Sequence, residues 1–310
     1  SILSKEGGLW IIMNNRLTRA FHPGYYVQES IESLKMTIKE FSYRTGITEK
    51  VLSDLVNQKS PVTFDTAQKL EQFYHIEASV WLNMQTAYDK YLLEIEKEKE
   101  LEEDYKCLSS STRKYLVDYQ YINSTNDKNE IVEQVRNKIK VNRLTYLINF
   151  DFATLYKKQA NSSDNFERNL WVALALNKAR EIEDVKPFSK QKALKLIPQI
   201  YKLMDNPDYL SSVSKLTDLF KEVGIAFVYL PYLKKSNLYG ATKWFPNKPV
   251  MMAISDRNKS HDSFYLSLFH ELAHVIQGHK RYFVISEKIG EDKEANQMAV
   301  NWMNEKLEKV

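Results

Sequence analysis

A single cysteine, Cys107, stands among 310 residues. It excludes an intramolecular disulfide and suits a reducing cytoplasm. Glycine and proline are scarce at eight each, which disfavours a loop-rich β architecture and favours long helices. Charge of one sign is also missing. The 44 basic and 40 acidic side chains leave a net of +4, too little to argue for wrapping nucleic acid. No apolar run reaches the roughly 18 residues that a membrane-spanning helix needs. The run Leu9–Met13 is short and lacks the basic flank of a secretory signal. These absences point to a cytoplasmic protein without a membrane partner. What is present is ordinary and sufficient: 43% hydrophobic and 12% aromatic residues can fill a core, and the length suggests about two or three domains.

The pattern along the chain predicts a mainly α fold with a small antiparallel sheet, an α+β architecture. Residues 1–20 read as an N-terminal arm, either an upstream start or a remnant unrelated to the fold. Residues 21–91 read as a helix bundle. Thr37–Thr45 forms one short helix ending at Gly46, and Thr48 caps a second over Glu49–Gln58 with Val51, Leu52 and Leu55 inward. A third covers Thr66–Tyr74, and a longer one opens at Ala78. Two short helices joined by a tight glycine turn are the helix-turn-helix plan, with Glu49–Gln58 as the recognition helix. Thr48, Lys50, Ser53, Asn57 and Lys59 are its candidate nucleic-acid contacts. Against that, residues 21–90 carry seven basic and nine acidic side chains, a net of −2, and DNA affinity rests largely on neutralised phosphates. Use of the module for protein contacts stays open.

Residues 92–108 are a charge-dense helical connector. Residues 109–208 form a helical middle region. Its amphipathic stripes are Ile131, Val132, Val135, Ile139 and Val141, then Leu170, Trp171, Leu174, Ala175 and Ala179, then Leu194, Ile197, Ile200 and Leu203. Tyr146, Phe150, Phe152, Tyr156 and Trp171 read as packing rather than ligand contacts. His22 and His75 read as structural.

Residues 209–310 carry the chemistry. A helix ending at Gly224 precedes three strand candidates, Ile225–Leu230, Gly240–Phe245 and Val250–Ile254. An apolar helix follows that contains His270-Glu271-Leu272-Ala273-His274, the HExxH pattern. Two histidines four apart lie one turn apart on one helix face, where both imidazoles reach a single tetrahedral ion. Glu271 projects beside them as general base, able to hold a water without being a ligand. The sheet ahead of the helix can take an extended substrate along its edge. A third ligand is expected from the final helix, and Glu294, directly before the stripe Ala295, Met298, Ala299 and Trp302, is a better candidate than Glu291. His279, Tyr282, His261 and Tyr265 are the candidate donors to an oxyanion.

Two resemblances sharpen these readings. Phe21–Gly24, Thr37–Gly46, Asn57–Thr63 and Ala78–Gln85 together resemble the HigA-type antitoxin branch of the XRE-like helix-turn-helix family over about 70 residues. That resemblance implies DNA binding, transcription regulation and a toxin partner. Gly240–Trp244, Lys248-Pro249-Val250, Asp262-Ser263-Phe264, Phe269–His274 and Glu294-Ala295-Asn296 resemble the ImmA/IrrE metallo-endopeptidases over residues 210–304. The second resemblance implies a zincin-like metallopeptidase domain. In it His270, His274 and Glu294 bind Zn2+, Glu271 is the base, and the substrate is a helix-turn-helix repressor. Met298 departs from the phenylalanine usual there, a tolerable swap in a core. Two functions compete: a zinc endopeptidase fused to a helix-turn-helix module, and a HigA-like antitoxin or regulator whose metal domain senses or scaffolds without cleaving. The partners to expect are a protein substrate, operator DNA, a toxin and a second copy of the chain.

Overall fold

A computed structural model of the chain describes residues 11–13, 16–18, 20–149, 165–245, 249–278, 283–286 and 292–308. Two compact units divide it, Ser1–Glu100 and Leu101–Val310. The fold class is mainly α with a small sheet. No described helix is long and apolar enough to cross a membrane.

In the first unit a short hairpin pairs β1 (Ile11–Met13) with β2 (Arg16–Thr18). Four helices follow: α1 (Pro23–Ser33), α2 (Ile38–Thr45), α3 (Glu49–Val56) and α4 (Phe64–Tyr74), and then the start of α5 (Ala78–Cys107). Local chemistry sets their ends. Thr37, Thr48 and Thr63 each accept a backbone N–H through the side chain at a helix start, satisfying a donor that the helix itself cannot. Gly46 closes α2 with φ 70, a left-handed conformation that glycine adopts without a Cβ penalty. The tight turn between α2 and α3 follows from these two residues. Leu52, Leu55 and Val56 carry α3 into a core with Val27, Phe41, Ala67, Leu70 and Trp81. Val51, expected inward, is 40% exposed: in an eight-residue helix the buried arc is taken by its next neighbour and the following turn. Gln85 accepts from the Val62 amide at 3.0 Å, tying α5 to the loop before α4. His22 is buried and accepts from the Gly24 amide. His75 caps α4 with φ 56. Both are structural.

The second unit continues through α6 (Ser110–Asp118), α7 (Lys128–Ile139), α8 (Tyr146–Asn149), α9 (Asn165–Glu181), α10 (Lys190–Lys195), α11 (Ile197–Met204) and α12 (Val213–Lys221). Strands β3 (Ile225–Leu230), β4 (Gly240–Lys243) and β5 (Val250–Ser255) come next, then α13 (His261–Gln277), β6 (Phe283–Ser286) and α14 (Lys293–Leu307). The sheet order is β3-β5-β4-β6. It is mixed rather than wholly antiparallel. β3 and β5 run parallel, while β4 pairs antiparallel with both β5 and β6. Apolar periodicity marks strands but carries no information on the direction of pairing. The sheet edges are β3 and β6, and β4 and β5, the two strands directly before α13, are paired on both sides.

Both sheet faces are covered, which explains why β3 and β5 read as continuous apolar runs. Ala226, Val228, Ala241, Met251 and Ala253 face one core with Leu170, Trp171 and Leu174 of α9. Phe227, Val250, Met252 and Ile254 face a second core with Phe269 and Leu272 of α13. The middle helices and the strands thus share one packed body. Tyr146, expected in the core, is exposed, as is Leu194. A break at the buried Leu196 divides the expected third stripe into α10 and α11, whose buried residues are Ala193, Ile197, Ile200, Tyr201 and Met204. Phe150, Phe152 and Tyr156 lie outside the described residues.

A buried carboxylate organises the start of this unit. Asp104 is fully buried and accepts from Arg136 (Nε 2.8 Å), from Arg143 (Nε 3.3 Å) and from the amides of Leu144 (2.7 Å) and Thr145 (3.1 Å). Burial on its own raises this carboxyl. The two amides and Arg136 outweigh it and hold the group below its ordinary value.

Candidate metal centre and helix-turn-helix face

Helix α13 is capped at Ser260 and closed by Gly278 at φ 75. Between these ends nearly every side chain is buried, so two histidines and a glutamate are carried into a dry interior. His270 and His274 turn their Nε2 atoms toward each other at 3.1 Å. Two zinc-bound imidazole nitrogens in a tetrahedron are separated by about 3.3 Å, given Zn–N bonds of about 2.0–2.1 Å. The observed spacing is close to that edge. Two lone pairs this near repel unless a proton or a cation lies between them. The donor chemistry of the pair therefore fits zinc.

Helix α14 packs along α13, with Trp302 5.7 Å from the ring of Phe269, and supplies polar groups to the outer side of both imidazoles. Asp292 Oδ2 is 3.7 Å from His274 Nδ1, in ion-pair range. Burial lowers the pKa of His270, partly offset by the Asn296 side chain and by Asp292. A neutral ring at neutral pH is the form that binds a metal. Asp292 on the Nδ1 side of His274 leaves Nε2 facing the other ring, the side from which an ion would be bound.

Glu271, between the two histidines in sequence, is fully buried. Its Oε2 accepts from Thr242 Oγ1 of β4 at 2.6 Å. Gly240, two residues earlier on the same face of β4, leaves room for the carboxylate. A Cβ there would lie 2.6 Å from Glu271 Cγ and 2.7 Å from Oε1.

The structure thus turns the His270 and His274 rings toward each other and buries Glu271 on the same helix. Glu294 lies exposed in the first turn of α14, and Asp292, its N-cap, is the carboxylate that reaches the rings. Among the described residues no group of three His, Cys, Asp or Glu side chains is arranged to hold an ion. Asp292 was legible only as a helix cap, an Asp three residues before the buried Ala295. Of the oxyanion candidates, His261 sits at the start of α13 and faces the Met204 carbonyl at 2.8 Å, and Tyr265 is buried with its ring 4.8 Å from that of His261. His279, Tyr282 and Glu291 lie outside the described residues.

In the first unit, Lys50, Asn57 and Lys59 are exposed on and just after α3, and Ser53 is half-buried beside them. Thr48 is spent on capping Val51 (3.4 Å), and Asn57 Nδ2 donates to the Ser53 carbonyl at 2.7 Å.

The chain carries a helix-turn-helix unit of the kind found in transcriptional regulators, and its relatives agree. YddM, an uncharacterized HTH-type transcriptional regulator of Escherichia coli K12, is 33% identical over 75 residues, which are 24% of this chain and 78% of that protein. Virulence-associated protein I of Dichelobacter nodosus is 29% identical over 80 residues, 26% of this chain and 74% of that protein. The chain belongs to the HTH-type transcriptional regulators by the quarter of its length that these relatives share. A HigA-family addiction module antidote protein from Coxiella burnetii is 28% identical, covering 28% of this chain and 96% of that one, with a TM-score of 0.26. No protein-family profile matches the chain.

Proposed function

We propose that the chain joins a DNA- or protein-targeting helix-turn-helix unit to a zinc-dependent endopeptidase unit acting on a protein substrate, a DNA-binding repressor. The observation that carries this reading is the pair of converging imidazole nitrogens with a buried carboxylate on the same helix, bonded to Thr242. A purely structural ion has no use for Glu271. His270 and His274 would hold zinc together with a carboxylate from the first turn of α14. Glu294 is the one expected from sequence; Asp292, the N-cap before it, lies on the Nδ1 side of His274 and would orient that ring instead. When bound, zinc supplies Lewis acidity toward a peptide carbonyl. Glu271 takes a proton from the attacking water and returns it to the leaving amine. The dry surroundings strengthen each of these interactions.

A second reading is favoured by the regulator relatives: a HigA-like antitoxin or transcriptional regulator in which the metal domain senses or scaffolds. One comparison separates the two. Wild type and Glu271→Gln are purified, zinc is measured in both, and each is incubated with neighbouring repressors. Cleavage by wild type alone, at equal zinc content, supports the peptidase. No cleavage by either, with zinc in both, refutes it in favour of the regulator. Zinc content of Glu294→Gln, against Asp292→Asn as the ring-orienting control, tells whether Glu294 binds.

A further inference from the structure

We infer that Thr242 is a positioning residue for Glu271, acting through its hydroxyl on the carboxylate; this rests on the peptidase reading above. Three observations support it. The Oγ1–Oε2 distance of 2.6 Å is that of a charge-assisted O–H···O− bond, about twice as strong as a neutral one. Both side chains are buried, Thr242 at 1% and Glu271 at 0% exposure, so water does not compete. Thr242 also sits on a strand that cannot slide. It is opposite Met252 of β5 on one side and Val284 of β6 on the other. The β-branched side chain restricts χ1, so the hydroxyl is fixed by the sheet rather than by the flexible glutamate.

A general base must keep one oxygen aimed at its proton, and rotation about the last carbon–carbon bond of a free glutamate destroys that aim. Thr242 pins Oε2, and the bare Cα of Gly240 gives the other half of the carboxylate its space. Helix α13 supplies the position of Glu271 and β4 its orientation. The same bond could merely tie β4 to α13, and the experiment is chosen to separate these roles.

Thr242→Val, Thr242→Ser and Thr242→Ala are compared with wild type in the full chain loaded with zinc. Zinc stoichiometry, melting temperature, kcat and KM are read for cleavage of the repressor identified with wild type. Thr242→Val is expected to retain zinc and KM while kcat falls by roughly ten- to hundredfold, the equivalent of one charge-assisted hydrogen bond. Thr242→Ser, which keeps the hydroxyl, is expected within a few-fold of wild type. Should valine not fold, the serine-to-alanine ratio in kcat isolates the hydroxyl, since both lack the methyl group. Wild-type kcat in Thr242→Val, or loss of zinc in step with loss of activity, overturns the proposal in favour of a structural tie. A zinc-loaded wild type that cleaves nothing overturns the peptidase reading itself, and positioning with it.

Discussion

Replacing Asp104 by Asn tests the packing of the second unit more severely than any change at the motif. The carboxylate is fully buried and receives Arg136, Arg143 and two backbone amides. Asparagine keeps the shape but offers one acceptor oxygen in place of two and no charge. Arg136, with its Nη2 at 2.7 Å and only 21% exposed, loses its counter-ion. One of the amides meets an –NH2 group instead of an oxygen. Breaking a buried ion pair from one side costs about 3–5 kcal/mol, a large share of the roughly 5–15 kcal/mol that holds a domain together. With an m-value of about 2–3 kcal/mol/M in urea, the midpoint should fall by about 1–2 M. Near-UV circular dichroism, to which the buried Trp171 contributes, follows the transition. The sign of the pH effect is fixed by the depressed carboxyl. Its stabilisation is complete above the unfolded value near 3.9 and is lost as pH falls through the folded value. The gap between wild type and Asp104→Asn should therefore be widest near neutrality and close in acid. A loss below about 1 kcal/mol at pH 7, or a gap that widens on acidification, refutes this account.

Two further predictions concern the candidate sites. Gly240→Ala puts a Cβ within 2.8 Å of Glu271 Cγ, Glu271 Oε1 and the Ala253 carbonyl. It should destabilise the second unit by about 1–3 kcal/mol and reduce cleavage, measured by thermal melting and by the repressor assay; an unchanged melting point and activity would falsify the close approach. Lys50→Ala with Lys59→Ala should flatten the slope of log K against log salt by up to about 1.8 on promoter DNA. If wild type gives no gel shift at low salt, the unit does not bind that DNA.

Local chemistry made most elements legible. Thr48 announced a helix start and caps it as expected; Thr37, read as the first residue of its helix, and Thr63, three residues before the expected start at Thr66, prove to be caps as well. The three strands before α13 were marked by their apolar runs, and the spacing of His270 and His274 put both rings on one face. Pairing was not legible. Thr242 and Glu271 are 29 residues apart, and alternation in β4 shows only that Gly240 and Thr242 share a face, not what lies beneath it. Strand direction failed for the same reason, since a parallel β3–β5 pair and an antiparallel one need identical side chains. Val51 failed because a two-turn helix gives too few positions to fix its buried arc.

The order of synthesis has a consequence for the histidine pair. Helix α13 is made before α14, yet Asp292 and Asn296, which bear on its rings from outside, belong to α14. A nascent chain that already contains HExxH still lacks these two groups. They join the rings only after α14 has been made and has packed along α13, so the histidine pair gains its full surroundings last.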